Sequence, residues 1–269
     1  MARQTLKPPF AYYGGKTTLA PQIAKLLPEH DHYVEPFAGS LAVLLAKEPS
    51  PMETVNDLDS RLVAFWRVLR ESPEELQRLA KLTPHSREEY KECSQLDADT
   101  DTKLAWQAWV TITQGRRPVL DDTGWKSRIK ASSGSMSDTI FKYAERFEPV
   151  AARLSNVSIE NRDALCLIDS YGEEPTVCIY ADPPYLGSTR GGRYGSEMLE
   201  DDLHVQLAES LRKCRASVVL SGYASPLYEE LYEGWHRYEL KAPTRLSGTA
   251  APNEILWSNV PLGDQTSLF

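Results

Sequence analysis

The sequence of 269 residues lacks any apolar run near the length of about 18 residues that a membrane-spanning helix needs. Its first residues, MARQTLKPPFAYY, also lack the apolar core of a signal peptide, so we expect a cytoplasmic protein with no membrane partner. Cysteine is scarce, and Cys93, Cys166, Cys178 and Cys214 lie far apart without a C-x-x-C pair. This spacing predicts reduced thiols and no metal site.

A complete phosphate-binding loop is also missing, although the stretch GGKTT resembles the end of one. The full pattern is G-x-x-x-x-G-K-[ST], and Phe10 stands where its first glycine should be. Such a loop follows a buried strand, whereas Pro8 and Pro9 have no N–H to donate to a sheet ladder. These departures exclude the phosphate-loop class of nucleoside triphosphatases. The role of Lys16 must therefore be a different one.

Positive charge is in the minority, since the net charge is −8. Residues 103–153 run against this trend, with nine Lys and Arg against five Asp and Glu. A nucleic-acid partner requires a local basic patch rather than a global excess, so this segment is the candidate for such a contact.

Short apolar runs alternate with helical patterns at both ends of the chain, which predicts an α/β protein with helices on both faces of a parallel sheet. The predicted strands are residues 32–37, 53–58, 156–161, 176–183, 217–223, 235–241 and 254–260. Residues 73–150 break this rhythm with consecutive helices and a Gly-, Ser- and Arg-rich stretch in which VLDDTGW suggests a hairpin turn. We therefore predict one domain built from residues 1–72 and 151–269, with an insert at 73–150.

The stretch YVEPFAGSLAVLL places a strand, a glycine-containing turn and a helix in succession, where backbone N–H groups can approach a ligand. The next strand ends in NDLD, which puts Asp57 18 residues after Gly39. An acid at about this distance can accept the hydroxyls of a ribose. Because the turn lacks G-x-G-x-x-G, it favours a nucleoside ligand without a pyrophosphate.

The stretch YADPPYLG ends another predicted buried strand. Pro183 and Pro184 hold a stiff turn without backbone donors, so Asp182 and the nearby carbonyls present only acceptors beside Tyr185. This arrangement suits an amino group on an aromatic ring: the acceptors take its hydrogens and the tyrosine stacks on the ring.

Together these motifs resemble the Dam-type N6-adenine DNA methyltransferases. The resemblance rests on YYGGK, VEPFAGSLAVLL, NDLD, NRDA, YADPPY, DDLHVQLAESL and NEILW, in the order of that family's alpha group. It implies a Rossmann-like class I methyltransferase sheet with an inserted, mainly helical target-recognition subdomain. It also implies a monomeric enzyme of restriction–modification type that transfers a methyl group from S-adenosylmethionine to adenine N6 in double-stranded DNA.

Carried over by position, the motifs assign a role to each matching residue. Tyr12 and Lys16 would meet the methionine end of the cofactor, Asp57 its ribose and Asp163 its adenine. The family pattern has a second glycine where Leu41 stands, which leaves the local loop geometry open. The full catalytic set is Asp182, Pro183, Pro184 and Tyr185, and the cofactor set is Tyr12, Lys16, Glu35, Phe37, Gly39, Asp57, Asp163 and Asp182.

Two basic stretches are candidates for DNA contact, because arginine reads guanine edges and lysine usually binds phosphate. Their residues are Arg116, Arg117, Trp125, Lys126, Arg128 and Lys130 in the insert, and Arg190 and Arg193 in the glycine-rich loop 187–197. A solvated basic loop and a flexible surface loop are the respective alternatives. Trp106 and Trp109 are three residues apart on a predicted helix and are expected in the core.

Two other functions stay open at this point. The first is an N4-cytosine, RNA or protein-glutamine methyltransferase with the same kind of acceptor turn. The second is a DNA- or cofactor-binding protein without turnover, against which the intact Lys16, Asp57 and Asp182 argue.

Overall fold

The computed structural model describes residues 5–95, 97–130, 134–185, 201–240 and 253–263. Seven strands follow one another along the chain: β1 His32–Glu35, β2 Met52–Asn56, β3 Val157–Glu160, β4 Val177–Ala181, β5 Ser217–Tyr223, β6 His236–Leu240 and β7 Glu254–Ser258. They form one sheet in the order β3-β2-β1-β4-β5-β7-β6. Every predicted strand segment overlaps one of them, so the predicted strands are confirmed.

The strands β1 to β5 pair in parallel, whereas β7 is antiparallel to both β5 and β6. The chain moves outward from β1 through β2 to β3 and then returns to β4 on the other side of β1. This reversal leaves a crevice beyond the carboxyl ends of β1 and β4, where open α/β sheets bind their ligands.

Helices cover both faces of the sheet, as predicted. Along the chain they are α1 Ala20–Leu26, α2 Ala42–Ala46, α3 Ser60–Glu71, α4 Pro73–Leu82, α5 Arg87–Cys93, α6 Asp101–Gln114, α7 Met136–Ala144, α8 Phe147–Leu154, α9 Ala164–Tyr171, α10 Asp201–Lys213 and α11 Pro226–Leu231. Successive strand residues point to opposite faces, so Tyr33 packs into one hydrophobic cluster with α1 to α3 while Val34 packs into another with α9 to α11.

The predicted insert, residues 73–150, contains helices α4 to α7, the start of α8 and a hairpin, residues 115–125, which we call the basic hairpin. In it the N–H of Arg116 donates to the Gly124 carbonyl at 2.9 Å, and Gly115 and Trp125 form an antiparallel bridge. The hairpin turn is therefore confirmed. Trp109 of α6 is fully buried and donates to the Pro9 carbonyl at 3.0 Å, as expected of a core residue.

The insert and the sheet share one hydrophobic core. Leu76, Trp109 and Ile140 belong to the same buried cluster as Tyr33 and Val55. The insert is therefore packed onto one face of the sheet by apolar contacts, and the boundaries at residues 73 and 150 stay a prediction.

Leu41 takes the backbone conformation that the missing glycine would favour. Its φ of 54° and ψ of 31° lie in the left-handed region, which costs a non-glycine residue about 1–2 kcal/mol. The Leu41 side chain is fully buried in the core, and burying a leucine contributes about 1.5–3 kcal/mol. Burial offsets the backbone cost, so the loop keeps the glycine-type geometry despite the substitution.

Candidate active site

A cavity opens at the crevice beyond the carboxyl ends of β1 and β4. The residues after β1, after β2 and after β4 line it, together with the segment before α1 and part of the basic hairpin. The lining residues are Tyr12, Tyr13, Gly14, Gly15, Lys16, Glu35, Phe37, Ala38, Gly39, Ser40, Ala42, Val43, Asp57, Leu58, Asp59, Arg61, Val119, Leu120, Tyr180, Asp182, Pro183, Pro184 and Tyr185.

Two glycines allow the turns around this cavity to approach one another. Gly39 has a φ of +46°, and a Cβ at this position would lie 3.4 Å from Cδ1 of Tyr12. A Cβ on Gly15 would lie 2.9 Å from the carbonyl oxygen of Tyr12, which is closer than real Cβ atoms come. The turn before Lys16 therefore requires its glycine for close packing and not for phosphate binding.

Asp57 joins the loops that follow β1 and β2. Its carboxylate accepts the Gly39 N–H at 3.0 Å and the Asp59 N–H at 3.0 Å. Burial raises the pKa of Asp57 to about 6, although these backbone hydrogen bonds oppose the rise. The group thus faces the cavity as a desolvated acceptor held in place by the backbone.

Glu35 at the end of β1 is a second buried acid of the cavity. The Tyr33 hydroxyl donates to it at 2.9 Å. Its pKa is raised to about 8, chiefly by burial; the Tyr33 hydrogen bond opposes this rise and the nearby Asp182 adds to it. In the unliganded protein this carboxyl therefore holds a proton at neutral pH.

Lys16 and Asp182 meet directly in the same cavity. The Lys16 Nζ donates to Oδ1 of Asp182 at 2.7 Å and to Oδ2 at 2.9 Å, and also to the Gly14 carbonyl at 3.2 Å. It makes a further short hydrogen bond to the Tyr185 hydroxyl. An ammonium thus binds the acceptors that the sequence assigned to an aromatic amino group.

Among the lining residues that the structure describes, acids outnumber bases. Asp59 is paired with Arg61, whose Nε lies 2.8 Å from Oδ1 of Asp59. The other described lining residues include one lysine, Lys16, and the acids Glu35, Asp57 and Asp182. A cationic ligand with hydroxyl groups fits such a site better than an anionic one does.

The structure brings most of the predicted site residues together. The whole catalytic set and the cofactor set line the cavity, with the exception of Asp163. Asp163 is exposed and caps α9, where its Oδ1 accepts the N–H of Leu165 at 2.9 Å and of Cys166 at 3.2 Å. Its contact with the cofactor adenine stays a prediction.

The middle of the basic hairpin, residues 118–120, lies against the cavity. The Tyr13 N–H donates to the Pro118 carbonyl at 3.0 Å, and Val119 and Leu120 line the cavity. The neighbouring Arg116 and Arg117 are exposed. The candidate DNA-contacting residues thus continue directly from the wall of the site.

The other basic residues of the insert differ in their surroundings. Lys130 is exposed and Lys126 is half-buried, whereas the Arg128 guanidinium donates to Thr139 Oγ1 at 3.1 Å near the start of α7. The Trp125 ring stacks on His85 with centroids 4.5 Å apart and lies 4.8 Å from the Arg87 guanidinium. Its contact with DNA stays a prediction, as do those of Arg190 and Arg193, which lie outside the described residues.

Sequence reasoning missed several residues of this site. Arg61, Val119 and Leu120 reach it from elements that carry no motif. Glu254 contacts the Tyr185 hydroxyl at 2.8 Å although it lies 69 residues further along the chain. Glu254 lies in the NEILW motif, which carried part of the family resemblance, but the motif assigned it no role.

Within residues 5–95, 97–130, 134–185, 201–240 and 253–263, no three His, Cys, Asp or Glu side chains are placed to hold a metal ion. No helix of the same ranges is long and apolar enough to cross a membrane.

Comparison with known proteins adds independent information. The family model for D12 class N6 adenine-specific DNA methyltransferases matches residues 12–114 and 126–246. The chain is 28% identical over 259 residues to the Type II methyltransferase M1.LlaDCHI of Lactococcus lactis subsp. cremoris, covering 90% of each chain.

Two solved structures share less sequence identity with the chain than this relative does. A putative methyltransferase from Streptococcus mutans in complex with SAH has a TM-score of 0.38 at 8% identity, covering 89% of this chain and 95% of the other. A putative methyltransferase from Escherichia coli has a TM-score of 0.34 at 12% identity, covering 93% of this chain and 82% of the other.

Proposed function

Because this chain belongs to the D12 class N6 adenine-specific DNA methyltransferase family, we propose that its cavity holds S-adenosylmethionine beside the pocket of an extrahelical adenine. The chain transfers a methyl group from S-adenosylmethionine to N6 of adenine at specific sites in DNA. This membership decides against the N4-cytosine, RNA and protein-glutamine alternatives, and against a binding protein without turnover. The observation that carries the proposal is the single cavity lined by both the cofactor motifs and Asp182.

The residues present fit this cofactor. Its sulfonium and ammonium groups are cationic, and the cavity offers two acids, the buried Glu35 and the half-buried Asp57. Asp57, already fixed by the Gly39 and Asp59 N–H groups, would accept the ribose hydroxyls. Glu35 would receive the ammonium of the methionine end, and Tyr12 and Phe37 would flank the ligand.

When bound, the cofactor supplies a methyl group that its sulfonium already activates. The task of the chain is to hold a poor nucleophile, because the lone pair of adenine N6 is delocalised into the ring. Asp182 and the Pro183 carbonyl would accept the two N6 hydrogens and favour a tetrahedral nitrogen. Tyr185 would stack on the base, which must leave the duplex to reach this depth.

Lys16 is also expected to control when Asp182 can bind the adenine. In the structure its ammonium is bonded to both Asp182 oxygens and to the Tyr185 hydroxyl, so it fills the place of the adenine amino group. The carboxylate of the cofactor would attract Lys16 away from Asp182 and release these acceptors for the base. Cofactor binding would then precede productive binding of adenine.

The cellular setting is also part of the proposal. One relative is called a Type II methyltransferase, and we infer that this chain likewise protects DNA beside a restriction nuclease in the cytoplasm. We also propose that the chain acts as a monomer.

Expression in a host without DNA methylation tests the function. We expect N6-methyladenine at one short sequence in the host DNA, measured by nucleoside analysis and modification-sensitive sequencing. N4-methylcytosine, or the absence of any modified base alongside cofactor binding, would contradict the assignment.

Cofactor affinity is expected to rise with pH between about 6.5 and 7.5. Because burial raises the pKa of Glu35 to about 8, its proton must leave before the carboxylate can hold an ammonium. Affinity then increases by at most about tenfold per pH unit. Calorimetric titration with S-adenosylhomocysteine in two buffers of different ionisation enthalpy measures the proton released.

The Glu35→Gln variant is the control, since it should bind more weakly and without this pH dependence. The raised pKa also predicts that the unliganded protein loses stability through Glu35 as pH rises from 4.5 to about 8. The variant should lack that loss as well. An identical pH dependence in both proteins would show that Glu35 does not bind the ammonium.

A further inference from the structure

Glu254 forms the far end of a chain of polar contacts that begins at the active site. The Tyr185 hydroxyl donates to its Oε1 at 2.8 Å, and the Ser221 hydroxyl donates to the same atom at 2.8 Å. The Lys16 Nζ lies 3.6 Å from Oε1. Glu254 therefore contacts Tyr185 and lies close to Lys16, which is hydrogen-bonded to Asp182, although Glu254 belongs to the last strand of the sheet.

The position of Glu254 is fixed by the backbone. It begins β7 and pairs with Tyr223 of β5 on one side and Leu240 of β6 on the other. Its side chain is only 5% exposed. A buried carboxylate destabilises the fold unless a cation and hydrogen-bond donors compensate its charge. Lys16 is the nearby cation, and the hydroxyls of Tyr185 and Ser221 are the donors.

Lys16 is thus shared between two acids. It contacts Asp182 at 2.7 Å and Glu254 at 3.6 Å. Burial raises the pKa of Glu254, and Asp182 raises it further, while Lys16 opposes both effects. If Lys16 leaves Asp182, the second acid remains close enough to hold part of its charge.

The orientation of the Tyr185 ring depends on the same contact. The ring is 5% exposed, lies 4.6 Å from the Lys16 Nζ and packs against Tyr223 with centroids 4.6 Å apart. The Tyr185 hydroxyl donates to Glu254 and accepts from Lys16, and both hydrogen bonds hold the ring along its long axis. The base is expected to stack on this ring.

We propose that Glu254 is a positioning residue of methyl transfer, which holds the Tyr185 ring and shares Lys16 with Asp182. The inference rests on the proposed function of the Asp182 site. Glu254 touches neither base nor cofactor and acts through these two side chains. Its loss should therefore affect the rate of the bound complex more than the binding of either substrate.

The Glu254→Gln variant tests this role, because the amide keeps the shape and one acceptor oxygen but loses the charge. A misplaced reacting group can cost up to roughly a hundredfold, and we expect kcat to fall by about ten- to a hundredfold. The KM values for DNA and cofactor should change by less than about threefold. Exposed Glu239 on β6 provides the matched control, and Glu239→Gln should keep the native kcat.

The Tyr185→Phe variant removes the hydroxyl link while keeping the ring. If Glu254 acts through that hydroxyl, the kcat of the Tyr185→Phe/Glu254→Gln double variant should be no lower than that of the slower single variant. Additive losses, or a native kcat in either single variant, would overturn the inference. Tyr185→Phe also carries the test should Glu254→Gln fail to fold.

These outcomes differ from those that would remove the proposed function. If Asp182→Ala is inactive while Glu254→Gln turns over at the native rate, the inference alone fails. If Asp182→Ala turns over at the native rate, the site itself is wrong.

Discussion

Replacing Asp182 by alanine is expected to lower kcat by roughly 10²–10⁴-fold or more, the range in which positioned acid–base groups contribute. The variant removes the carboxylate that accepts the N6 hydrogens and leaves the Pro183 carbonyl as a single acceptor. It also frees Lys16 from the pair at 2.7 Å. Transfer of a tritiated methyl group to duplex DNA in single-turnover conditions measures the loss of the transfer step itself.

Cofactor binding should survive this substitution, because Glu35, Gly39 and Asp57 keep their places in the cavity. Calorimetric binding of S-adenosylhomocysteine therefore separates a catalytic loss from a collapsed site. Asp169→Ala on the exposed side of α9 is the matched control and should turn over normally. Methylation near the native rate by Asp182→Ala would exclude Asp182 from the mechanism.

Reversing the charge of the basic hairpin is expected to weaken duplex binding by at least about a hundredfold at low salt. Each lost phosphate contact should reduce the slope of log affinity against log salt by about 0.9. The first variant replaces the exposed Arg116 and Arg117 by glutamate, and a second adds the same change at Arg128 and Lys130. Fluorescence anisotropy at several salt concentrations gives both the affinity and the slope.

Lys213 and Arg215 provide the matched control, because they are exposed where α10 returns to the amino end of β5. That end of the sheet is opposite the cavity, so Lys213→Glu/Arg215→Glu should bind DNA almost normally. Cofactor affinity should stay native in every hairpin variant. If the four-residue variant binds DNA like the unmodified protein at all salt concentrations, this patch is not the DNA surface.

The strands and the site loops were predictable because their signals are local. Central parallel strands are buried on both faces and therefore need continuous apolar runs, and such runs marked β4 and β5 most clearly. Asp57 and Asp182 follow strands that end at the same edge of the sheet, so their meeting in one cavity followed from the topology. The proline-bounded turn at Asp182 was equally local, since two rings fix it without help from the rest of the chain.

Contacts that depend on tertiary packing were not predictable. Lys16 was expected at the cofactor, whereas the structure places its ammonium on Asp182, 166 residues away in sequence. No sequence pattern reports which of two nearby acceptors a lysine will choose. The departure at Leu41 likewise could be resolved only with its core environment known, since the burial of that side chain offsets its left-handed backbone.

The basic hairpin shows the same limit. Its charge and its turn were visible in the sequence, but its connection to the cavity through Pro118, Val119 and Leu120 was not. Trp125 was a candidate for DNA contact on the sequence, and its packing against His85 and Arg87 was likewise not visible there. Side-chain partners within a packed insert depend on how its helices cross, which composition does not encode.

A crystal structure with S-adenosylhomocysteine and a duplex containing the methylated sequence tests the central claim most directly. We expect an extrahelical adenine whose N6 lies within hydrogen-bonding distance of Asp182 and faces the sulfur of the cofactor product. Lys16 should then have left the Asp182 carboxylate for the carboxylate of the ligand. An adenine bound away from Asp182, or an intact Lys16–Asp182 pair with the base in its pocket, would contradict it.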